Sequence, residues 1–302
     1  MEGSKEQLNK LLADNKMGAV EMTLGVSGLL AEISREVDDG GELKRICMEV
    51  IKNGPIMAPL VNLVNGALFA IEENTPLTEY CPMFSHRLRE NIRMTAVHGS
   101  AVIRDEMIII TYSNSSTVLE TFGISVENGK SFEVIISDAS PVREGIMMAE
   151  RISDLDIPVV LVPDGALFQE MEDADLVMVG ADSITTHGLI NKIGTRGLAA
   201  QARLLGKEMM ALATSEKVLP SGIDIFHKVL REPSEVYAGD INLEVRNYYF
   251  DRTPLHLISR VVTEKGPLTP FDIMTASGKK RTHALIFREN KIMHTHNTIS
   301  GV

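Results

Sequence analysis

The sequence predicts an α/β fold, in which a helical N-terminal domain over residues 1–100 precedes a doubly wound parallel-sheet domain over residues 101–302 that ends in a hairpin-like tail. Three observations carry this expectation. The first hundred residues place apolar side chains at helical spacing, with no convincing strand before Val102. Beyond that point short, nearly continuous apolar runs alternate with amphipathic segments, as in a parallel sheet covered on both faces by helices. The runs also finish in hydroxyls and carboxylates, and ligands in such sheets sit outside the carboxyl ends of the strands.

In chain order, helices are predicted over 5–12, 21–37, 41–52 and 58–72, with Asp38-Asp39-Gly40-Gly41 and Asn53-Gly54-Pro55 as stops. A fifth helix, 83–97, is placed after Pro82. Strand-like runs follow at 107–110, 134–136, 159–162, 176–179, 209–213 and 261–262. Between the first five lie helical segments at 118–126, 144–154, 167–171 and 196–205. Right-handed crossovers then wind the chain over both faces of one sheet. The charged, irregular stretch 230–251 reads as a loop excursion, and 282–296 as a hairpin turning at Glu289-Asn290.

Composition narrows the function. A net charge of -11 disfavours binding nucleic acid through the overall field, since such proteins present a basic face to phosphate. No apolar run approaches the roughly 20 residues a membrane span needs, and the first residues are no secretory signal. Cys47 and Cys81 lack metal-type spacing and fit packed thiols in a reducing, cytoplasmic setting. The sixteen methionines read as core filler. No Walker or GxGxxG pattern is present, so no cofactor is expected.

The most distinctive stretch runs from Gly180-Ala181-Asp182 to Asn191-Lys192-Ile193-Gly194-Thr195. Asp182, at a strand end, is suited to act as a general base or to hold a sugar hydroxyl. Asn191 and Lys192, read as opening the next helix, are suited to hold a phosphate or carboxylate. The plainer alternative is an Asp–Lys ion pair with an Asn cap. The hydroxyl-rich run Thr111–Ser116, containing Ser113, Asn114 and Ser115, is either an anion nest or a helix cap. His187 is a ligand donor or a structural loop residue. His294 and His296 could face one side of a strand, but no third ligand accompanies them and no metal is expected.

Together these motifs resemble one family. It contains the alpha, beta and delta regulatory subunits of translation initiation factor 2B, methylthioribose-1-phosphate isomerase and archaeal ribose-1,5-bisphosphate isomerase. The resemblance spans about residues 18–270, with support from His98-Gly99-Ser100, Tyr249–Pro254 and Thr263–Pro270. It implies a Rossmann-like C-terminal domain and assembly as a homodimer or larger.

The resemblance also exposes departures. The isomerases carry a catalytic cysteine that works with the aspartate of the Gly-Ala-Asp motif; here Ser113 stands in its place. A thiol ionises near pKa ~8.5, and a serine hydroxyl has no comparable acidity. Arginines that grip phosphate in the isomerases are matched by Met17 before Gly18, by Gly54 before Pro55-Ile56, and by Ser140 before Pro141. Arginine forks hold phosphate bidentately and are not casually replaced. Asp182, Asn191, Lys192 and Lys217 remain from the polar floor. The expectation is therefore a regulatory-subunit-like protein that acts by assembly, senses a small sugar phosphate or nucleotide, and meets a translation-factor partner. The alternative is an aldose–ketose isomerase of a phosphorylated ribose, with Asp182 and Ser113 as catalytic residues and Gly18, Asn114, Ser115, Asn191, Lys192 and Lys217 around the ligand. A third is an isomerase scaffold with a changed substrate.

Overall fold

The computed structural model describes residues 2–14, 17–55, 57–226, 229–240 and 243–289. His294, His296, Ile56 and the second half of the expected hairpin lie outside the described residues.

Five helices come first: α1 (Glu2–Leu12), α2 (Ala19–Glu36), α3 (Gly40–Asn53), α4 (Ala58–Glu72) and α5 (Leu77–Ser100). Asp39 starts α3 by accepting from the Gly41 N–H at 3.0 Å. The fifth helix does not begin after Pro82 as expected; Pro76 caps it and Pro82 lies inside it. A proline there removes one backbone donor. Leu77, Cys81 and Phe84, all buried, hold the turns on either side of it in the core. That core, built on Met22, Leu30, Leu63 and Phe84, also takes in Ile190, Leu219, Ile223 and Ile225 from far along the chain. The helical layer and the later chain therefore share one apolar interior.

The remaining elements are β1 (Met107–Thr111), α6 (Ser116–Glu127), β2 (Phe132–Ser137), α7 (Glu144–Ser153), β3 (Val159–Val162), α8 (Leu167–Glu170), β4 (Leu176–Val179), β5 (Ser183–Thr185), β6 (Gly188–Lys192), α9 (Thr195–Leu204), β7 (Glu208–Leu212), β8 (Phe250–Thr253), β9 (Arg260–Thr263), β10 (Gly266–Leu268) and α10 (Pro270–Gly278). The main sheet runs β10-β9-β7-β4-β1-β2-β3, and every pairing is parallel except β10 with β9. The expected α/β architecture is present: a helical N-terminal region followed by a mostly parallel sheet wound in both directions from β1. Alternation along the strands explains the continuous apolar runs. Ile110, Ile135 and Val177 enter one core, while Ile109, Val134 and Met178 enter the core on the other face. The edge strand β3 differs, leaving Val160 and Leu161 exposed.

Two further parts depart from the sequence reading. A second, antiparallel sheet β5-β6-β8 follows β4, where a loop leading straight into a helix was expected. Residues 284–289 are helical, so this part of the tail is not a hairpin strand. Ile286 is buried against the N-terminal helices, which an extended edge hairpin would not achieve.

Candidate functional site

The strands β1 and β4 are neighbours at which the winding of the sheet reverses, the usual crevice for a ligand in such folds. Here the ends of the two strands are tightly packed. A Cβ added at Gly180 would lie 2.5 Å from Ser115 Oγ, so the two strand ends approach as closely as glycine allows. The Tyr112 hydroxyl donates to the Ile193 carbonyl at 2.6 Å, pinning the chain after β6 over the end of β1. A cavity lies between the β5-β6-β8 ribbon and the helical layer.

That cavity has a volume of about 260 Å³. Asp182 and Ile190 line it from the ribbon, Asn53, Gly54, Pro55 and Met57 from the α3–α4 connection, and Phe226, Arg231, Tyr249 and Phe250 from the long excursion before β9. Its walls are mainly apolar, and among the described lining residues Arg231 is the single cation. The Arg231 guanidinium lies 5.0 Å from the Tyr249 ring centroid, and Lys192 Nζ lies 5.5 Å from the same centroid. Tyr249 is held by its hydroxyl, which donates to Glu235 at 2.6 Å.

Asp182 is fixed by its backbone N–H, which donates to the Ile190 carbonyl at 3.0 Å. Burial raises its carboxyl above the ordinary aspartate range, the charge of Glu144 adds to this, and Lys217 and Lys192 oppose it. Burial lowers the Lys217 ammonium in turn, with Asp182 acting against the shift. Desolvation thus disfavours both charges, and Asp182 keeps a proton to higher pH than an exposed aspartate does. Behind it lies a short polar chain. Ser113 Oγ donates to one Glu144 oxygen at 2.8 Å, and Lys192 Nζ donates to the other at 2.9 Å. The Lys192 ammonium is therefore already committed to a protein carboxylate.

The other residues singled out in the sequence fall elsewhere. Asn191 points to the face of β6 opposite Ile190 and Lys192, and its Nδ2 donates to Thr195 Oγ1 at 3.1 Å. Asn191 and Lys192 lie on a strand, not at a helix start, which corrects the sequence reading. The N-terminus of α9 is filled by Asp251, which accepts from the backbone N–H groups of Gly194 at 2.8 Å and Arg196 at 3.1 Å. Ser115 caps α6 and Asn114 accepts from Arg151, so much of the hydroxyl-rich run serves local structure. Gly18 is the N-cap of α2. His187 sits exposed at the tip of the β5–β6 hairpin. Cys47 and Cys81 are buried in the helical core. No group of three metal-ligating side chains and no helix able to cross a membrane is found among the described residues.

Sequence reasoning missed Glu144, Arg231 and Tyr249. Glu144 looks like an ordinary acid opening a helix, and Arg231 lies in a stretch read as loop. Only the Tyr249-Phe250-Asp251 motif gave a signal, and without the ribbon it had no place.

The comparisons with known proteins agree with this architecture. The chain is 36% identical over 185 residues to ribose 1,5-bisphosphate isomerase of Haloferax volcanii, a stretch that covers 58% of this chain and 57% of that protein's length. It is 31% identical over 270 residues to a putative translation initiation factor eIF-2B subunit 2-like protein of Pyrococcus abyssi, covering 88% of this chain and 96% of that protein. The crystal structure of the Pyrococcus horikoshii translation initiation factor eIF-2B superposes with a TM-score of 0.79 at 29% identity, covering 90% of this chain and 99% of that one. Residues 9–270 match the Initiation factor 2 subunit family, and the chain belongs to it.

Proposed function

We propose that the chain is an aldose–ketose isomerase of a phosphorylated pentose, acting in the cavity beside Asp182. The observation that carries this reading is a carboxyl, raised by burial, set in a mostly apolar cavity that one guanidinium also lines. Interconverting an aldose and a ketose moves hydrogen between adjacent carbons, and needs a group able to give and take a proton. Asp182, with its carboxyl raised by burial, is suited to that role, and Arg231 to holding a phosphate. The apolar walls suit a sugar monophosphate with an apolar substituent better than a bisphosphate, for which a second cation would be needed. Ser113 replaces the expected cysteine, and Glu144 gives it the neighbouring base that a serine lacks by itself. Several relatives bear the name ribose 1,5-bisphosphate isomerase, which favours an enzyme over the purely regulatory expectation.

One set of observations favours the second reading, a non-catalytic assembly subunit of the translation-factor kind. Met17, Gly54 and Ser140 stand where the family's isomerases have phosphate-binding arginines, and Lys192 is occupied by Glu144. In either reading the chain assembles with itself, and the exposed apolar edge at Val160 and Leu161 is the surface offered for it.

Turnover of methylthioribose-1-phosphate and ribose-1,5-bisphosphate decides between the two. The enzyme reading expects activity in the wild-type chain that falls at least a hundredfold in Asp182→Asn. Absence of turnover with both substrates, in a folded protein that still binds one of them, would overturn the enzyme reading and favour the second.

A further inference from the structure

The 3₁₀ turn Ser215–Lys217 is braced from two sides by residues outside the Asp182 cavity. Asn62, in α4, donates through Nδ2 to the carbonyls of Glu216 at 2.6 Å and Val218 at 3.0 Å. Lys280, just beyond α10, donates through Nζ to the carbonyls of Ser215 and Val218, both at 2.6 Å. Carbonyls before and after Lys217 are thus held by two side chains. The segment bearing Lys280 is itself tied down. Ser277 Oγ donates to the Leu219 carbonyl at 2.7 Å, while Asn65 of α4 donates to the Arg281 carbonyl at 3.0 Å and accepts from the His283 N–H at 2.8 Å. A second cavity, of about 600 Å³, lies between this turn, α4, α5 and the β9–β10 hairpin, and Asn62, Ser215 and Lys280 are among its lining. None of these three lines the cavity beside Asp182.

What the brace holds is a charge that acts on the candidate site. Lys217 is 5% exposed, and its ammonium makes no hydrogen bond or ion pair among the described residues. A lysine with a flexible stem and no partner of its own is placed by its backbone. Val218 forms a parallel bridge to Ile184, and the Leu219 N–H donates to the Ile184 carbonyl at 2.8 Å. The turn is therefore stitched to the strand that follows Asp182. The charged groups acting on Asp182 are Lys217 from this turn, Glu144 from α7 and Lys192 from β6, and Lys217 has the largest influence of the three.

We propose that Asn62 and Lys280 are positioning residues of the Asp182 site. By fixing the turn they set the place of the Lys217 ammonium, and through it how readily the Asp182 carboxyl gives up its proton. The inference rests on the isomerase reading for its purpose, since there Asp182 carries the proton. It also gives a role to chain beyond residue 270, where the family match ends.

NMR titration of the Asp182 carboxyl carbon in isotopically labelled full chain tests this, with Asp182→Asn assigning the resonance. When the brace is loosened the opposing ammonium loses its place. The Asp182 midpoint is then expected to rise by about half a pH unit or more in Lys280→Met and in Asn62→Ala. Asn62 is uncharged, so a rise in its variant cannot come from deleting a charge. In a Lys217→Met background neither change should move the midpoint further, because the group through which both act is gone. Lys279→Ala, at the exposed neighbour, should leave the midpoint in place. Asn62 lies on a helix, where alanine is favourable, so its variant decides the matter even if Lys280→Met fails to fold. In an active enzyme the pH profile of kcat/KM should shift by the same amount. Absence of turnover would sink the isomerase reading alone, and the titration still decides the brace. A midpoint that stays or falls in Asn62→Ala, or an equal rise with and without Lys217, would overturn the proposal.

Discussion

Lys192 and Glu144 form a 2.9 Å ion pair in which the lysine side chain is 4% exposed and the glutamate 21%. Removing one partner leaves the other charge stranded in a poorly solvated place. Glu144→Ala is therefore expected to cost about 3 kcal/mol in denaturant unfolding. Replacing both partners by apolar residues, Glu144→Leu with Lys192→Met, should recover most of that loss. The neighbouring pair of Arg143 with Asp138 is a control, because the Arg143 side chain is 62% exposed. Arg143→Ala should change stability by less than about 0.5 kcal/mol.

Gly194 adopts a φ of +106°, and a Cβ there would lie 2.7 Å from the Tyr112 hydroxyl. Gly194→Ala meets both backbone strain and a clash with an anchored ring, and should lose about 2 kcal/mol. Combining it with Tyr112→Phe removes the clashing oxygen, so the double variant should lose less than the sum of the two single changes. A strictly additive result in thermal unfolding would show that the clash contributes nothing.

Burial pushes the thiols of Cys47 and Cys81 up to about 12. At pH 8 almost no thiolate forms at either, and both sit in the core of the helical layer. Alkylation by iodoacetamide is expected only in denaturant, or at the slow rate of local opening. Rapid labelling of the native chain would mean that this core is far looser than its packing indicates.

Lys280 gives a pH signature. Burial lowers its ammonium to about 8, with Glu216 and Glu264 acting against the shift and Arg87 and Lys265 adding to it. The unfolded chain, with an ordinary lysine pKa near ~10.4, binds the proton more tightly than the native state does. Between these two values the unfolded state carries more protons, so Lys280 makes native stability rise with pH across that window. Below about 8 its contribution is flat. The wild-type minus Lys280→Met difference in unfolding free energy should climb from pH 8 to 10 and stay level from pH 6 to 7.5.

The sequence revealed the main sheet because its central strands are buried on both faces. The runs Met107–Thr111 and Leu176–Val179 can be little else, and their polar ends marked the correct rim. The ribbon was invisible for a physical reason. Its strands are short, and β6 buries Asn191 and Lys192, which read as helix-opening polar residues beside the true helix signal at Gly194-Thr195. The acid that caps that helix, Asp251, arrives from far along the chain, so no local pattern could announce it. Asp182 was legible from its place at a strand end and from its motif. Glu144 and Arg231 depend on tertiary placement, and the second cavity depends on it entirely.

The pairing of Lys192 with Phe250 joins residues far apart in the chain. The parallel strands β1 and β2 meet through one intervening helix, whereas the wall of the Asp182 cavity closes only after the whole excursion to β8 has been threaded back. Closing so long a loop delays contact formation more than it weakens the finished structure. In refolding, amide protection at β1 and β2 is therefore expected to precede protection at Ile193, whose N–H donates to the Tyr249 carbonyl beside β8. The cavity beside Asp182 is then the last feature to form and the first to open, so ligand binding there should slow hydrogen exchange in the ribbon while leaving the parallel sheet as it was.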